Sequence, residues 1–194
     1  MDVKDAIEKR RAYRSFAPVE ITDGTVSELA KAAQLTASCF NNQPWRFIFV
    51  MGKEQLLKMS EAMNKGNEWT HSASLIIAVF GKKGKDCNIK EREYYLFDIG
   101  MAASSLILRA TELGLVAHPI AGFSSEKAKE ILGIPAEYLL ITLINVGKKS
   151  ETMNPGMSEG QVKSEKERPI RRLLEQICSV DRFSEKFDED NPKE

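Results

Sequence analysis

The sequence predicts one domain over residues 1–194, in which helices and strands are mixed without a regular βαβ repeat. The length suits a single domain that buries a sizeable core. Three mainly apolar runs have the length of buried strands, and stretches of helical period lie between them. Two helical stretches precede the first strand, and no internal repeat or second domain is visible in the sequence.

The first part of the chain predicts two helices, a strand, a third helix and a second strand. The first helix covers residues 3–11, and the second opens at a capping-box pattern of Thr25 and Glu28 and runs through Ala37. "RFIFVMG" reads as the first strand and "EQLLKMSEAM" as the helix after it. Residues 74–81 are apolar nearly throughout, which predicts a strand covered on both faces.

The longest helical pattern extends over residues 91–114. Its central part, "FDIGMAASSLIL", is apolar or small on every face, so it predicts a buried helix that another backbone can approach closely. Both a central core helix and a helix at a subunit interface fit this pattern.

The last part predicts a short strand in "LVAHPIAGF", a helix in "SSEKAKEILG" that stops at Gly133, and then the third of the long buried strands in "YLLITLINVG". After Gly147 the sequence turns polar and predicts a loop of roughly twenty residues, a length typical of functional or mobile loops. A last short helix is predicted in "IRRLLEQI".

The charge balance excludes several partners. The 28 basic and 28 acidic side chains cancel, so neither nucleic acid nor an anionic membrane surface is indicated. The N-terminus lacks the apolar segment of a signal peptide, and the longest apolar runs are too short to span a bilayer.

The cysteines and histidines give no metal or nucleophile site. Cys39, Cys87 and Cys178 are odd in number and widely spaced, which predicts no disulfide framework and favours a reducing cytoplasm. His71 and His118 lack a nearby third ligand, so no zinc site or histidine-based triad is predicted.

The first candidate site is "KRRAYRSF". Arg10, Arg11 and Arg14 stand where a helix gives way to an extended segment, and guanidinium groups bind phosphate oxygens bidentately. The alternative is that these arginines complement a helix C-terminus or stay solvated.

The second candidate is "TASCFNNQPWRFIFV", where Ser38, Asn41 and Gln43 offer donors and acceptors to a polar heterocycle. Its alternative is a plain turn ended by Pro44, with Trp45 as a core anchor. A third candidate is "PIAGF", where a glycine after a strand lets a ligand approach the backbone. The fourth, "KSEKERP", reads by itself as a solvated charge run. The sequence contains no GxGxxG and no P-loop motif.

Five segments, in order, resemble those of the flavin-dependent nitroreductase family. "RRAYR" is similar to the family's RRSxR box, "ASCFNNQPW" to PSxxNxQPW, and "DIGMAASSLILRA" to the DxGxAAxNLxLAA helix. "GLVAHPIAGF" matches the family's step that ends in GF, and "KERPIRRLLEQ" its closing basic-Pro element. These matches span nearly the whole chain.

The resemblance implies an α+β fold of three layers, with a central mixed β-sheet flanked by helices, in an intertwined homodimer. It also implies two FMN sites at the dimer interface, each built from both subunits. The residues that the resemblance assigns to FMN binding are Arg10, Arg11, Arg14, Ser38, Asn41, Gln43, Ala121, Gly122, Lys166 and Arg168. No side chain is assigned a catalytic role, since FMN carries the chemistry, and no metal is implied.

The activity implied by the resemblance is a ping-pong hydride transfer from NAD(P)H through FMN to a nitroaromatic, a quinone or a similar small acceptor. Arg14 is the candidate for the cation beside flavin N1 and O2. The alternatives are a relative that performs reductive dehalogenation or flavin fragmentation, a flavin-binding sensor or storage protein without turnover, and an interaction domain that binds no flavin.

This chain departs from the family pattern at several positions. Ala12 replaces the serine of the arginine box, and Ala121 stands where family members often carry an acidic residue. Cys39 and Phe40 replace smaller residues, and we expect them to narrow the site or to change substrate preference. For Cys39 a small buried hydrophobe is favoured over a nucleophile. Residues 60–70 offer little material for a substrate lid.

Overall fold

The computed structural model describes residues 1–189. The described part contains six α-helices: α1 (Val3–Lys9), α2 (Asp23–Gln34), α3 (Lys53–Ser60), α4 (Tyr94–Glu112), α5 (Ser125–Leu132) and α6 (Glu159–Lys166). Its strands are β1 (Phe16–Ala17), β2 (Arg46–Val50), β3 (Leu75–Gly81), β4 (Asn88–Ile89), β5 (Arg92–Glu93), β6 (Val116–Ile120) and β7 (Leu139–Lys149). Four short 3₁₀ segments lie at Cys39–Asn41, Glu68–Ser72, Leu174–Gln176 and Glu185–Asp188.

The main sheet is built around the long strand β7. One edge of β7 pairs with β3, which in turn pairs with β2, and the other edge pairs with β6 and β1. The α+β class is confirmed. All pairings among the described strands are antiparallel, in place of the expected mixed sheet, because apolar runs reveal where strands lie but not their directions.

Two hydrophobic cores lie on the two faces of this sheet, which gives three layers. One core combines Met59 of α3, Ala128 of α5 and the even-numbered residues of β3, and the other combines Leu29 of α2, Leu106 of α4 and the odd-numbered residues of β3. Every residue of β3 is buried, as its apolar sequence predicts for a strand covered on both faces.

Helix α2 begins earlier than the capping-box pattern predicts. Its N-cap is Thr22, whose Oγ1 accepts a hydrogen bond from the Thr25 backbone N–H at 3.1 Å. The helix ends at Gln34 rather than at Ala37. Thr25 therefore lies inside the first turn, because Thr22 offers the same capping chemistry three residues earlier.

Helix α4 is the core helix that its sequence predicts. Its buried face includes Ala102, Leu106 and Ala110, which pack under the sheet. On another face Leu96 and Phe97 are 44% and 61% exposed in the single chain. The helix is therefore a core element that also presents apolar surface.

The segment after β7 differs from the predicted long loop. Strand β7 continues to Lys149, and residues 159–166 form α6, which Ser158 and Gln161 open with a reciprocal capping box. The predicted helix in "IRRLLEQI" is reduced to the 3₁₀ segment Leu174–Gln176. In the described residues no helix combines the length and the apolar character needed to cross a bilayer.

Candidate functional site

Four of the predicted site arginines line one cavity. We call it the arginine cavity, and it has a volume of about 210 Å³. The lining residues are Arg10, Arg11, Ala12, Arg14, Ser164, Arg168, Pro169 and Arg171. The segment after α1 and the segment after α6 therefore meet here, although some 150 positions separate them in the chain.

Two of these arginines join the ends of α1 and α6. The Arg11 guanidinium donates to the carbonyl of Ser164 at 2.7 Å and to that of Glu165 at 3.3 Å, in the last turn of α6. The Arg168 guanidinium donates to the carbonyls of Glu8 and Arg10, at 2.5 and 3.0 Å, where α1 ends. Each helix C-terminus thus receives a cation from the segment that follows the other helix, which satisfies carbonyls without a helical partner.

The Arg10 and Arg14 guanidinium groups take part in no hydrogen bond or ion pair within residues 1–189. Burial lowers the pKa of Arg10, and the nearby charges of Arg168 and Arg171 lower it further. Burial also lowers the pKa of Arg14, partly offset by Glu165, and its guanidinium carbon lies 5.9 Å from the centre of the Trp69 ring. A bound anion would relieve this crowding of positive charge.

Glu165 fixes the backbone on which Arg14 stands. Its carboxylate is 7% exposed and accepts from the backbone N–H groups of Arg14 and Ser15, at 2.8 and 3.0 Å. Sequence reasoning treated this glutamate as part of a solvated charge run. Its function depends on the fold, because only tertiary structure brings α6 against the arginine segment.

A buried histidine lies behind the arginines. His118 of β6 is 6% exposed, its ring lies 4.6 Å from that of Trp69, and its Nδ1 is 2.9 Å from the carbonyl oxygen of Tyr13. Burial lowers the pKa of His118 to about 4, and the charges of Arg14 and Arg10 act in the same direction. The imidazole is therefore neutral at pH 7, and it packs against Trp69 rather than serving as a cation.

Gly122 is linked to the arginine cavity through Asn67 and Trp69. The Gly122 carbonyl accepts from Asn67 Nδ2 at 2.8 Å, and Asn67 Oδ1 accepts from Trp69 Nε1 at 3.2 Å. A Cβ atom at residue 122 would lie 2.3 Å from Asn67 Nδ2, so any larger residue there would displace the Asn67 amide from this contact. Ala121 is exposed beside it, and its carbonyl accepts from the Phe123 N–H at 3.0 Å.

The amide segment, residues 38–43, is a compact turn held at its base. The Ser38 Oγ accepts from the Gln43 backbone N–H at 3.0 Å, and Gln43 Nε2 donates to the side chain of Asn41 at 3.2 Å. Phe40, Asn41 and Gln43 have left-handed φ values of 48°, 57° and 48°. Such values are costly for residues other than glycine, so the surroundings must hold this conformation.

Those surroundings include a disulfide between Cys39 and Cys87. The expectation of no disulfide is thus wrong for this pair, and so is the assignment of Cys39 as a buried apolar side chain, since both cysteines are half-exposed. The long separation in sequence hid the pairing, which arises because the chain before α4 returns to the amide segment. Cys178 is free and exposed.

Two carboxylates complete the base of the amide segment. Asp98 of α4 is 1% exposed and accepts from the Cys39 N–H at 2.7 Å, while Asp86 accepts from Asn42 Nδ2 at 3.1 Å. Burial raises the pKa of Asp98, and the adjacent Asp86 raises it further. The sequence gives no signal for Asp86, and it marks Asp98 only as the first residue of the DxG helix pattern.

The structure therefore brings the predicted residues into two groups. Arg10, Arg11, Arg14 and Arg168 share the arginine cavity, with Gly122 linked to them through Asn67 and Trp69. None of Ser38, Asn41 and Gln43 lines that cavity. Lys166 is exposed at the end of α6 and does not line it either, whereas Arg171, which the sequence did not suggest, does.

Comparisons with known proteins agree with this fold. A profile of the nitroreductase family matches residues 7–68 and 52–148. The chain is 30% identical over 143 residues to a putative NADH dehydrogenase/NAD(P)H nitroreductase of Archaeoglobus fulgidus, covering 71% of this chain and 80% of that protein.

Solved structures with the same fold include a crystal structure described as an oxidoreductase containing FMN, with a TM-score of 0.78 and 24% identity over 95% of this chain and 94% of that one. Another is a putative nitroreductase from Exiguobacterium sibiricum in complex with FMN, with a TM-score of 0.71 and 22% identity over 80% of this chain and 91% of that one. The family profile covers most of the chain, and the chain belongs to the nitroreductase family.

Proposed function

We propose that this protein is an NAD(P)H-dependent flavin oxidoreductase that binds FMN and reduces a small acceptor such as a nitroaromatic or a quinone. The observation that carries the proposal is the arginine cavity, in which half-buried arginines without an internal partner form a site for an anion. Family membership and the FMN in the two similar structures support the choice of that anion.

The residues of the cavity fit a phosphate group. Arg10 and Arg14 have guanidinium donors that the protein itself does not use, and Arg171 adds positive charge beside them. Arginine donors suit phosphate oxygens because they bind them in pairs. We assign Arg10 and Arg14 to the FMN phosphate and ribityl side, and Arg11 and Arg168 to holding the two helix ends that shape the cavity.

When bound, FMN would supply two-electron transfer between the nicotinamide nucleotide and the acceptor. The protein's own groups would bind and orient it. The amides of Asn41 and Gln43 present donors and acceptors for a heterocycle, and Gly122 is joined through Asn67 to Trp69, over which Arg14 lies. We keep Lys166 and Ala121 in the proposed site because they lie next to it in the chain, and we assign neither a direct contact with FMN.

We further propose that the active form is a homodimer, with each site completed by the amide segment of the second copy. In the single chain the amide segment does not line the arginine cavity. Apolar side chains are exposed on α1 and α4, including Val3 at 72% and Phe97 at 61%. Several exposed apolar side chains on two helices are a feature that a subunit interface would cover. We also propose that the whole chain forms a single domain and that the protein acts in the cytoplasm.

The first test is spectroscopic. The purified protein should be yellow or should take up added FMN, and it should bleach anaerobically with NADH or NADPH. Steady oxidation of NAD(P)H with an added quinone should follow, because a storage protein would give one reduction and no cycling. A colourless protein that ignores FMN would overturn the proposal. Sedimentation equilibrium measures the dimer in the same sample.

The second test separates binding from stability. Arg10→Ala with Arg14→Ala should weaken FMN binding at least a hundredfold, since two charge-assisted contacts together contribute about 3–6 kcal/mol. The apo protein should keep its Tm to within a few degrees, because neither guanidinium makes a hydrogen bond or ion pair in the described residues and Arg14 has only its contact with the Trp69 ring. Arg182→Ala, an exposed arginine outside the cavity, is the matched control and should leave both quantities unchanged. If the double variant loses apo-protein stability in proportion to its loss of FMN affinity, the arginines instead serve to complement the helix C-terminus.

A further inference from the structure

The Cys39–Cys87 disulfide joins the amide segment to the chain that leads into α4. Residues 39 and 87 are separated by 48 positions, so the bond is a long-range cross-link. Both cysteines are partly exposed, so the disulfide lies at the protein surface and not inside either hydrophobic core. The family resemblance marks Cys39 only as a replacement of a smaller residue and implies no disulfide at this position.

The amide segment has a conformation that needs external support. Three of its residues have φ values of 48° to 57°, and none of the three is glycine. Phe40 is 89% exposed, so its ring contributes little packing that would hold the turn. A backbone of this kind persists only while contacts from outside the turn constrain it.

Most of those outside contacts run to the same region. Cys39 donates its backbone N–H to Asp98, and Asn42 donates its side-chain amide to Asp86 at 3.1 Å and to the Cys87 sulfur at 3.6 Å. The disulfide is the one covalent link among them. The hydrogen bond between Ser38 and Gln43 is internal to the turn and does not anchor it to the rest of the protein.

We infer that Cys39–Cys87 is a redox-active disulfide whose reduction by a dithiol releases the amide segment from its left-handed conformation. In the first step a thiolate of the reductant bonds to one cysteine sulfur, and the S–S bond breaks as the other sulfur leaves as a thiolate and takes up a proton. The second thiol of the reductant then displaces the first cysteine. Two electrons and two protons pass to the protein, and the reductant leaves as a cyclic disulfide.

The consequence for activity rests on the proposed function. If the amide segment forms one wall of the flavin site, the oxidised protein holds that wall in place and the reduced protein does not. The disulfide is then a control point through which the thiol state of the surroundings sets FMN affinity. The conformational part of the inference does not depend on FMN.

The experiment is hydrogen–deuterium exchange on the unmodified protein, without FMN, before and after treatment with dithiothreitol. Alkylation and intact mass first assign the thiol state, and should show one reactive cysteine, Cys178, in the oxidised form and three in the reduced form. Exchange in peptides covering 38–43 should then rise at least tenfold on reduction, while peptides covering α6 stay unchanged. The Cys178→Ser variant should behave in the same way.

Two results would overturn the inference. One is reactivity of both Cys39 and Cys87 in air-equilibrated protein, and the other is equal exchange of peptides 38–43 in the two thiol states. FMN titration of both states forms a separate arm. Increased exchange with no FMN binding in either state would contradict the proposed function and leave the redox-active disulfide standing. Cys87→Ser should reproduce the reduced state without reductant.

Discussion

The arginine cavity and the amide segment hold their shapes by opposite means. The cavity is framed by arginines that bind helix-end carbonyls and by Glu165, whose carboxylate accepts from backbone N–H groups. The amide segment is a left-handed turn fixed by a disulfide and two aspartates. In the arginine cavity, two cations remain available because other arginines bind the helix-end carbonyls. In the amide segment, a strained backbone persists because a disulfide restrains it.

The largest effect expected from this comparison concerns the cross-link. Breaking Cys39–Cys87, by reduction or by Cys87→Ser, should lower the free energy of unfolding by about 4 kcal/mol, because the bond closes a loop between positions 48 apart. Urea denaturation of the oxidised and reduced protein measures the difference. Cys178→Ser is the matched control and should change little. Equal midpoints for the oxidised and reduced protein would mean that the amide segment is held by its hydrogen bonds alone.

The two regions should also respond oppositely to pH. His118 beside the cavity has its pKa lowered to about 4 from an ordinary value of 6.5, so the unfolded chain binds its proton more readily than the native protein does. Stability from His118 is therefore complete above pH 6.5 and is lost as the pH falls toward 4, by about 3 kcal/mol in total. His118→Gln should flatten this part of a stability–pH curve measured by urea denaturation.

Asp98 under the amide segment should act with the reverse sign. Its pKa is raised by burial and by Asp86, so the native protein binds the proton more readily than the unfolded chain. Its contribution is therefore present below the ordinary aspartate pKa and is lost as the pH rises through the raised value. Asp98→Asn keeps an oxygen acceptor for the Cys39 N–H and should remove that loss. A curve unchanged by the Asp98→Asn substitution would contradict this account.

Within the cavity, the arginines should divide into two classes. Arg11→Ala removes charged hydrogen bonds to the carbonyls of Ser164 and Glu165 and should lower the free energy of unfolding by about 2 kcal/mol. Arg10→Ala removes a cation that burial and neighbouring arginines disfavour, so the change should stay within about 0.5 kcal/mol. Thermal unfolding of the two apo variants, side by side, measures this difference. A larger loss for Arg10→Ala would reverse the assignment.

The smallest expected effect tests the strain in the amide segment. Phe40→Gly should stabilise the protein by about 0.5 kcal/mol, since glycine adopts a φ of 48° without steric cost and the ring is 89% exposed. Gly133→Ala is the contrasting control. It places a side chain at φ 65° at the C-cap of α5 and should destabilise by about 1 kcal/mol. Destabilisation by Phe40→Gly would show that the aromatic ring supports the turn.

The sequence predicted most of the fold because hydrophobic periodicity is local. The apolar composition of β3 and β7 alone predicts that both strands are buried. The small and apolar residues of α4 predict the same for that helix. Strand direction and the ends of α2 were less predictable. The direction of a strand depends on the long connections that lead to it. The start of α2 was ambiguous because Thr22 and Thr25 offer the same local capping chemistry.

The site was predictable only as a set of residue types. The arginine motif pointed to residues that the fold does bring into one cavity. Which guanidinium binds a carbonyl and which stays available depends on α6, whose last turn lies some 150 residues away. Glu165 and Arg171 had no local signal at all. The pairing of Cys39 with Cys87 was hidden for the same reason, since only the folded chain places the residues before α4 next to the amide segment.

The exchange of arginines between α1 and α6 has a consequence for biosynthesis. Arg11 meets Ser164 across 153 positions, and Arg168 meets Glu8 across 160. A nascent chain whose first helix has already emerged from the ribosome must wait for nearly the whole remaining polypeptide before this cavity can form. Formation of the arginine cavity is therefore a post-translational event, and translation products that end before α6 lack the contacts that shape it.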